Sequence, residues 1–153
     1  MISPDRVDPV ILGHILGQHR ELHAQLLAVK AAFAAEQAPG GGRAVAVRTM
    51  LVSLREHLRS HFEQEEGEGF IEESVARVPR LSPAARKVLA EHPRLLAELD
   101  GLLDRLPAAD ISRGAWREAS RAFAVFADHL QAHERSENAV VQEGYNEDLG
   151  LVD

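Results

Sequence analysis

The residues of this chain that could do chemistry are its histidines and glutamates, and their spacing is regular. In the segment HLRSHFEQEE, His57, His61 and Glu65 follow one another at four-residue steps, and His129, His133 and Glu137 repeat the same H-x3-H-x3-E pattern. Residues four apart on a helix lie one turn apart on one face, so His61 with Glu65, and His133 with Glu137, each present an imidazole and a carboxylate together. His19 and His92 interrupt apolar stripes of two other segments. With no cysteine in the chain, thiolate metal sites, disulfides and cysteine nucleophiles are excluded, and imidazole and carboxylate remain as the strong ligands. Four imidazoles and two carboxylates exceed what one tetrahedral zinc takes and suit two metal ions bridged by Glu65 and Glu137. Iron is the favoured metal, with manganese or a mixed pair as the alternative.

Such a constellation needs long helices to position it. Alanine, leucine, glutamate and arginine dominate segments with helical spacing of apolar residues, and strand-like alternation is nearly absent, so the chain reads as all-α. A first helix is expected from the Asp8-Pro9 start to about Gln37, before APGGG, and a second from Arg43 to Glu66. After a looser segment, FIEESVARVPR, a third runs from the Ser82-Pro83 start to about Leu106. A fourth, capped by Asp110 or Ser112, extends to about Val141, leaving 142–153 as an irregular tail of a single domain. Four helices joined by short turns form an antiparallel, up-down-up-down four-helix bundle.

The two halves of the chain resemble each other. Ile15, His19, Leu22, Leu26, Val29 and Phe33 step along a bundle seam, and Val88, His92, Leu95, Leu99, Leu102 and Leu106 follow the same steps at a constant offset of 73. Met50, Leu54, His57, His61 and Glu65 match Ala122, Phe126, His129, His133 and Glu137 at an offset of 72. His19, His61, Glu65, His92, His133 and Glu137 therefore face inward at one level, where burial costs several kcal/mol per unpartnered ionisable group and a metal ion supplies the compensating charge.

Three more histidines, His23, His57 and His129, fall to one side of that level and are read as a second layer that hydrogen-bonds the ligands or relays protons, or else as solvated residues at the bundle edge. His14 lies off the seam and reads as surface. Pro93 removes the amide that would bond to Leu89, which predicts a kink or restart at His92. Tyr145, the only tyrosine, is placed in the tail, and Glu63, Glu66, Glu68, Glu72 and Glu73 read as a solvated acidic helix end.

With these residues in hand, the sequence resembles the hemerythrin-like (HHE cation-binding) domain family over residues 10 to about 140. The resemblance rests on one histidine in each of the first and third helices and H-x3-E in the second and fourth, as His61-Glu65 and His133-Glu137. It implies a non-haem di-iron centre with an oxo or hydroxo bridge, active towards dioxygen, nitric oxide or peroxide. The position four after His92 is Leu96, where oxygen-carrying hemerythrins have a second histidine, so the pattern is closer to the stand-alone bacterial HHE proteins.

The net charge of −7 and the lack of a basic cluster argue against nucleic acid as a partner, and no apolar run reaches membrane-spanning length, so a soluble, cytoplasmic protein is expected. Two function classes fit: a redox protein that binds or reduces a small oxidant, and an oxygen- or iron-sensing or iron-handling module without turnover.

Overall fold

The apolar seams fold into helices whose ends follow local chemistry. A computed structural model of the chain describes residues 9–35, 42–67, 70–106 and 111–148. Four long helices, α1 (Pro9–Ala34), α2 (Arg43–Gly67), α4 (Ser82–Asp104) and α5 (Arg113–Asp148), are accompanied by a short helix, α3 (Phe70–Arg77). The expected caps Asp8 and Asp110, and most of the APGGG segment, lie outside the described residues. Gly42 precedes α2 with a φ of 82°, a backbone state that glycine adopts without the steric cost a side chain brings. At the start of α5, Ser112 Oγ accepts from the Ala115 amide at 3.1 Å, which identifies Ser112 as the cap.

Four local expectations are corrected. FIEESVAR is not loose: it forms α3, with Glu72 and Glu73 in its first turn and Arg77 in its last, charges that complement the helix dipole. Ser82 is not a side-chain cap; α4 grows out of a 3-10 turn at Pro79–Leu81, and Ser82 is already helical. The segment 142–148 is not an irregular tail, because α5 continues through it with Val140, Val141 and Gly144 buried against α3. Helix α4 runs from Ser82 to Asp104 with Pro93 inside it, so the chain does not restart at His92.

Helix α1 packs on α2 and α5, and α4 packs on the same two, while α3 lies mainly against α5. Partners pair in opposite order along neighbouring helices: His19 meets His61 and Gln25 meets His57, His92 meets Glu66 and Asp100 meets Arg55, and His133 meets Glu91 and His129 meets Glu98. Arg48 Nη1 donates to the carbonyls of Leu103 and Leu106, satisfying acceptors that the end of α4 leaves open.

Two apolar clusters result. The larger runs along the four long helices through Leu22, Leu26, Leu54, Leu58, Leu95, Leu99, Phe126 and Leu130, and ends where Phe33 packs on Trp116 and Phe123. The smaller gathers Ile15, Ile71, Val78, Leu81, Val88, Val140 and Val141 around α3. On each of α1, α4 and α5 the inward histidine lies between residues of the two clusters, so the polar level has an apolar floor and an apolar roof. Among the described residues, no helix is long and apolar enough to cross a membrane.

The contact of α3 with α5 depends on the missing side chain of Gly144, where an added Cβ would fall 2.8 Å from Cβ and Oγ of Ser74. Gly144→Ala is therefore expected to destabilise the protein by about 1–3 kcal/mol through overpacking. Urea denaturation followed by circular dichroism checks this, and an unchanged midpoint would mean that α3 is not held against α5.

Candidate metal centre

The seam that builds the centre advances by 4, 3 and 4 residues. On α2 it passes through Leu54, Leu58, His61 and Glu65, and on α5 through Phe126, Leu130, His133 and Glu137, all buried. On α1 and α4 it passes from Ile15 through His19 to Leu22 and from Val88 through His92 to Leu95. All six inward residues, His19, His61, Glu65, His92, His133 and Glu137, are at most 6 % exposed.

They converge in two groups that could each hold a metal ion. One consists of His19, His61, Glu65 and Glu137, the other of His92, His133 and Glu137, with the ligand atoms of each group within 4.8 Å of one another. His19 Nε2 lies 3.0 Å from His61 Nε2 and 2.9 Å from Glu137 Oε1. On the other side, Glu137 Oε2 lies 3.2 Å from His133 Nε2 and 3.8 Å from His92 Nε2. Glu65 contacts His61 through Oε1, and its Oε2 lies 3.9 Å from His92 Nε2. Each carboxylate thus reaches toward both histidine pairs.

The rings are held from outside. His92 Nδ1 donates to Glu66 Oε1 at 2.9 Å and His133 Nδ1 to Glu91 Oε1 at 3.1 Å, so the proton sits on Nδ1 and the Nε2 lone pair points inward. His61 Nδ1 donates to Gln18 Oε1 at 2.5 Å, and the Gln18 amide nitrogen is turned away toward Gln64 and His14. Phe62 stacks on His92 with ring centroids 3.9 Å apart and planes 7° from parallel.

Inside, the hydrogen bonding is incomplete. Glu65 Oε1 and Oε2, Glu137 Oε2, His92 Nε2 and His133 Nε2 are buried without a hydrogen bond, although several approach each other closely. Lone pairs that crowd together yet fail to bond one another are aimed at shared points, and buried acceptors left this way are costly unless a cation satisfies them. The residues fit a metal pair: neutral imidazoles and carboxylates suit iron, manganese or zinc.

Burial dominates the electrostatics. It pulls the His61 imidazole down to about 4, with the other three histidines adding to the shift against the pull of Glu137. Burial, and then Glu137, push the Glu65 carboxyl far above the carboxylate range, while at Glu137 burial is outweighed by Glu65 and the ring nitrogens of His133, His19 and His92, which hold it well below that range. Glu134, half-buried beside His19, is raised to about 7, mainly by burial.

His23, His57 and His129 lie at the surface. All three are exposed, and they pair with Gln131, Gln25 and Glu98 rather than with any of the six inward residues. Each step of four residues turns a side chain by about 40° around the helix, so a residue four before an inward His-Glu pair, or four after His19, leaves the seam; Leu22, Leu58 and Leu130 take the inward positions instead. His14 is exposed, as expected. Tyr145 belongs to α5, and its side chain lies outside the described residues. The acidic helix end divides: Glu63 pairs with Arg59 and Glu73 with Arg77, whereas Glu66 supports His92, and Glu68 lies outside the described residues.

Sequence reasoning missed Gln18, Glu66, Glu91, Glu134 and Phe62. A signal was present for two of them, since Gln18 and Glu91 each precede a seam histidine and are related by the same offset of 73.

Because burial and Glu137 raise the Glu65 carboxyl while a bound cation favours the ionised form, adding a divalent metal to the metal-stripped protein in weak buffer at pH 7 is expected to release protons. Affinity then rises about tenfold per pH unit for each proton released. Calorimetry in buffers of different ionisation enthalpy measures this, and uptake without proton release would contradict the assignment. No protein-family model, curated protein or solved structure matches the chain.

Proposed function

We propose that this chain is a hemerythrin-like, non-haem di-iron protein that binds or reduces a small oxidant, namely dioxygen, nitric oxide or hydrogen peroxide. The observation that carries the reading is the position of Glu137, whose two oxygens face separate imidazole pairs, one at 2.9 Å from His19 and the other at 3.2 Å from His133. A bridging carboxylate between two ions requires that disposition. His19 and His61 would hold one ion, His92 and His133 the other, with Glu65 and Glu137 between them. The opposite-order pairings of neighbouring helices support the up-down-up-down antiparallel bundle that the reading assumes.

Bound iron would supply redox chemistry and coordination positions open to a small oxygen- or nitrogen-donor ligand. The chain's own part is to aim the lone pairs, exclude bulk water and manage a proton. Glu66, Glu91 and Gln18 fix three imidazoles in the Nδ1–H tautomer. The two apolar clusters close the level above and below, which strengthens every charge interaction within it. Burial and Glu137 raise the Glu65 carboxyl, so a cation held there would favour its ionised form.

The test is metal content and optical spectrum of protein from iron-replete cells, reduced and then exposed separately to air, peroxide and nitric oxide. About two iron atoms per chain and ligand-dependent charge-transfer bands are expected, with Glu137→Ala losing most of the iron. Protein purified without iron, or holding only one tetrahedral zinc, would overturn the reading.

A further inference from the structure

The two halves of the centre are not supported alike. Resting on the di-metal reading, we infer that the two positions differ in affinity: the His92–His133 position fills first and holds its ion, and the His19–His61 position is the exchangeable one, reached through a cleft between α1 and α2.

Three differences carry this inference. The first is in the groups behind the rings. Both His92 and His133 donate Nδ1–H to a carboxylate, Glu66 at 2.9 Å and Glu91 at 3.1 Å. His61 donates to an amide, Gln18, and the buried Nδ1 of His19 has no hydrogen-bond partner among the described residues. A carboxylate acceptor makes an imidazole a stronger donor to metal than an amide does, and fixes its orientation. The asymmetry follows residue by residue from the half-repeat: Gln18 stands where the second half has Glu91, and Asn138 where the first half has Glu66.

The second difference is in packing. Phe62 lies flat on His92 and meets His133 edge-on at 5.4 Å, leaving these rings little freedom. Its counterpart at the offset of 72 is Glu134, a half-buried carboxylate beside His19 with Oε1 unpartnered. Such a group does not stack on the His19 ring as Phe62 stacks on His92.

The third is access. A partly open cavity of about 80 Å³ between α1 and α2 is lined by Gln18, Gln25, Ser60, His57 and His61, so it runs from the exposed His57–Gln25 pair to the buried ring of His61. Gln18, which holds His61, also lines this route, and its amide is shared with Gln64 and His14 at the surface. Displacing one glutamine side chain opens the way to His61.

The experiment is calorimetric titration of the full-length, metal-stripped protein with cobalt(II), with the cobalt absorption bands recorded in parallel. Two binding steps at least about tenfold apart are expected. Glu91→Gln should weaken the first step by about 10–100-fold and leave the second unchanged. Gln18→Glu, which copies the stronger half at a half-exposed position, should tighten the second step toward the first, and keeps the test decisive if Glu91→Gln fails to fold. His61→Ala should remove the weaker step and His92→Ala the stronger. Two equal steps, or a stronger step lost in His61→Ala and kept in His92→Ala, overturn this inference while leaving the di-metal reading intact. No cobalt uptake by the folded protein overturns the di-metal reading itself.

Discussion

Everything in this molecule is arranged around one energetic problem, the burial of four imidazoles and two carboxylates in a layer from which water is nearly excluded. Moving a single ionisable group into such a place costs several kcal/mol unless it is paired, and six together cannot all be satisfied by one another. The cluster answers with compromises: burial pushes the Glu65 carboxyl up and the His61 imidazole down, and buried acceptors go without hydrogen bonds among the described residues. The rest of the fold supplies the rigidity that keeps these compromises in place, and keeps them from collapsing into a merely apolar core.

That rigidity comes from length and register. Each long helix carries its share of the larger apolar cluster, and a fully buried leucine contributes roughly 1.5–3 kcal/mol relative to an exposed one. A one-residue slip on any helix would rotate its ligand by about 100° and exchange it for a neighbour. Polar contacts between helices resist such slips at several heights: Arg48 to the end of α4, Arg55 to Asp100, and the carboxylates Glu66 and Glu91 to the rings of the next helix. The carboxylates orient ligands and fix register at once.

Much of this was legible in the sequence, and the reasons differ by element. The all-helical class and the convergence of His19, His61, Glu65, His92, His133 and Glu137 followed from seam periodicity and the half-repeat, which are properties of whole helices and tolerate small errors. His23, His57 and His129 lie at the surface, because the inward seam alternates fours with threes and a further step of four leaves it. Helix α3 is too short to show a period, and the segment that continues α5 past Val141 lacks a clear apolar period, being fixed instead where Gly144 closely approaches Ser74. Gln18, Glu66 and Glu91 act across helix boundaries, so their partners depend on relative height, which no single segment encodes.

Each histidine pair comes from one helical hairpin, His19 with His61 from α1 and α2, and His92 with His133 from α4 and α5. A peptide of half this length, self-associating about a two-fold axis between Glu65 and Glu137, would present the same four rings and two carboxylates. In such a homodimer every substitution would appear twice, and both rims would be amide or both carboxylate. Carrying the two hairpins on one chain lifts that restriction, so Phe62 can stack where its counterpart is Glu134, and Gln18 can stand opposite Glu91. Covalent continuity is what lets a centre of symmetric ancestry in form hold its two sides to different standards.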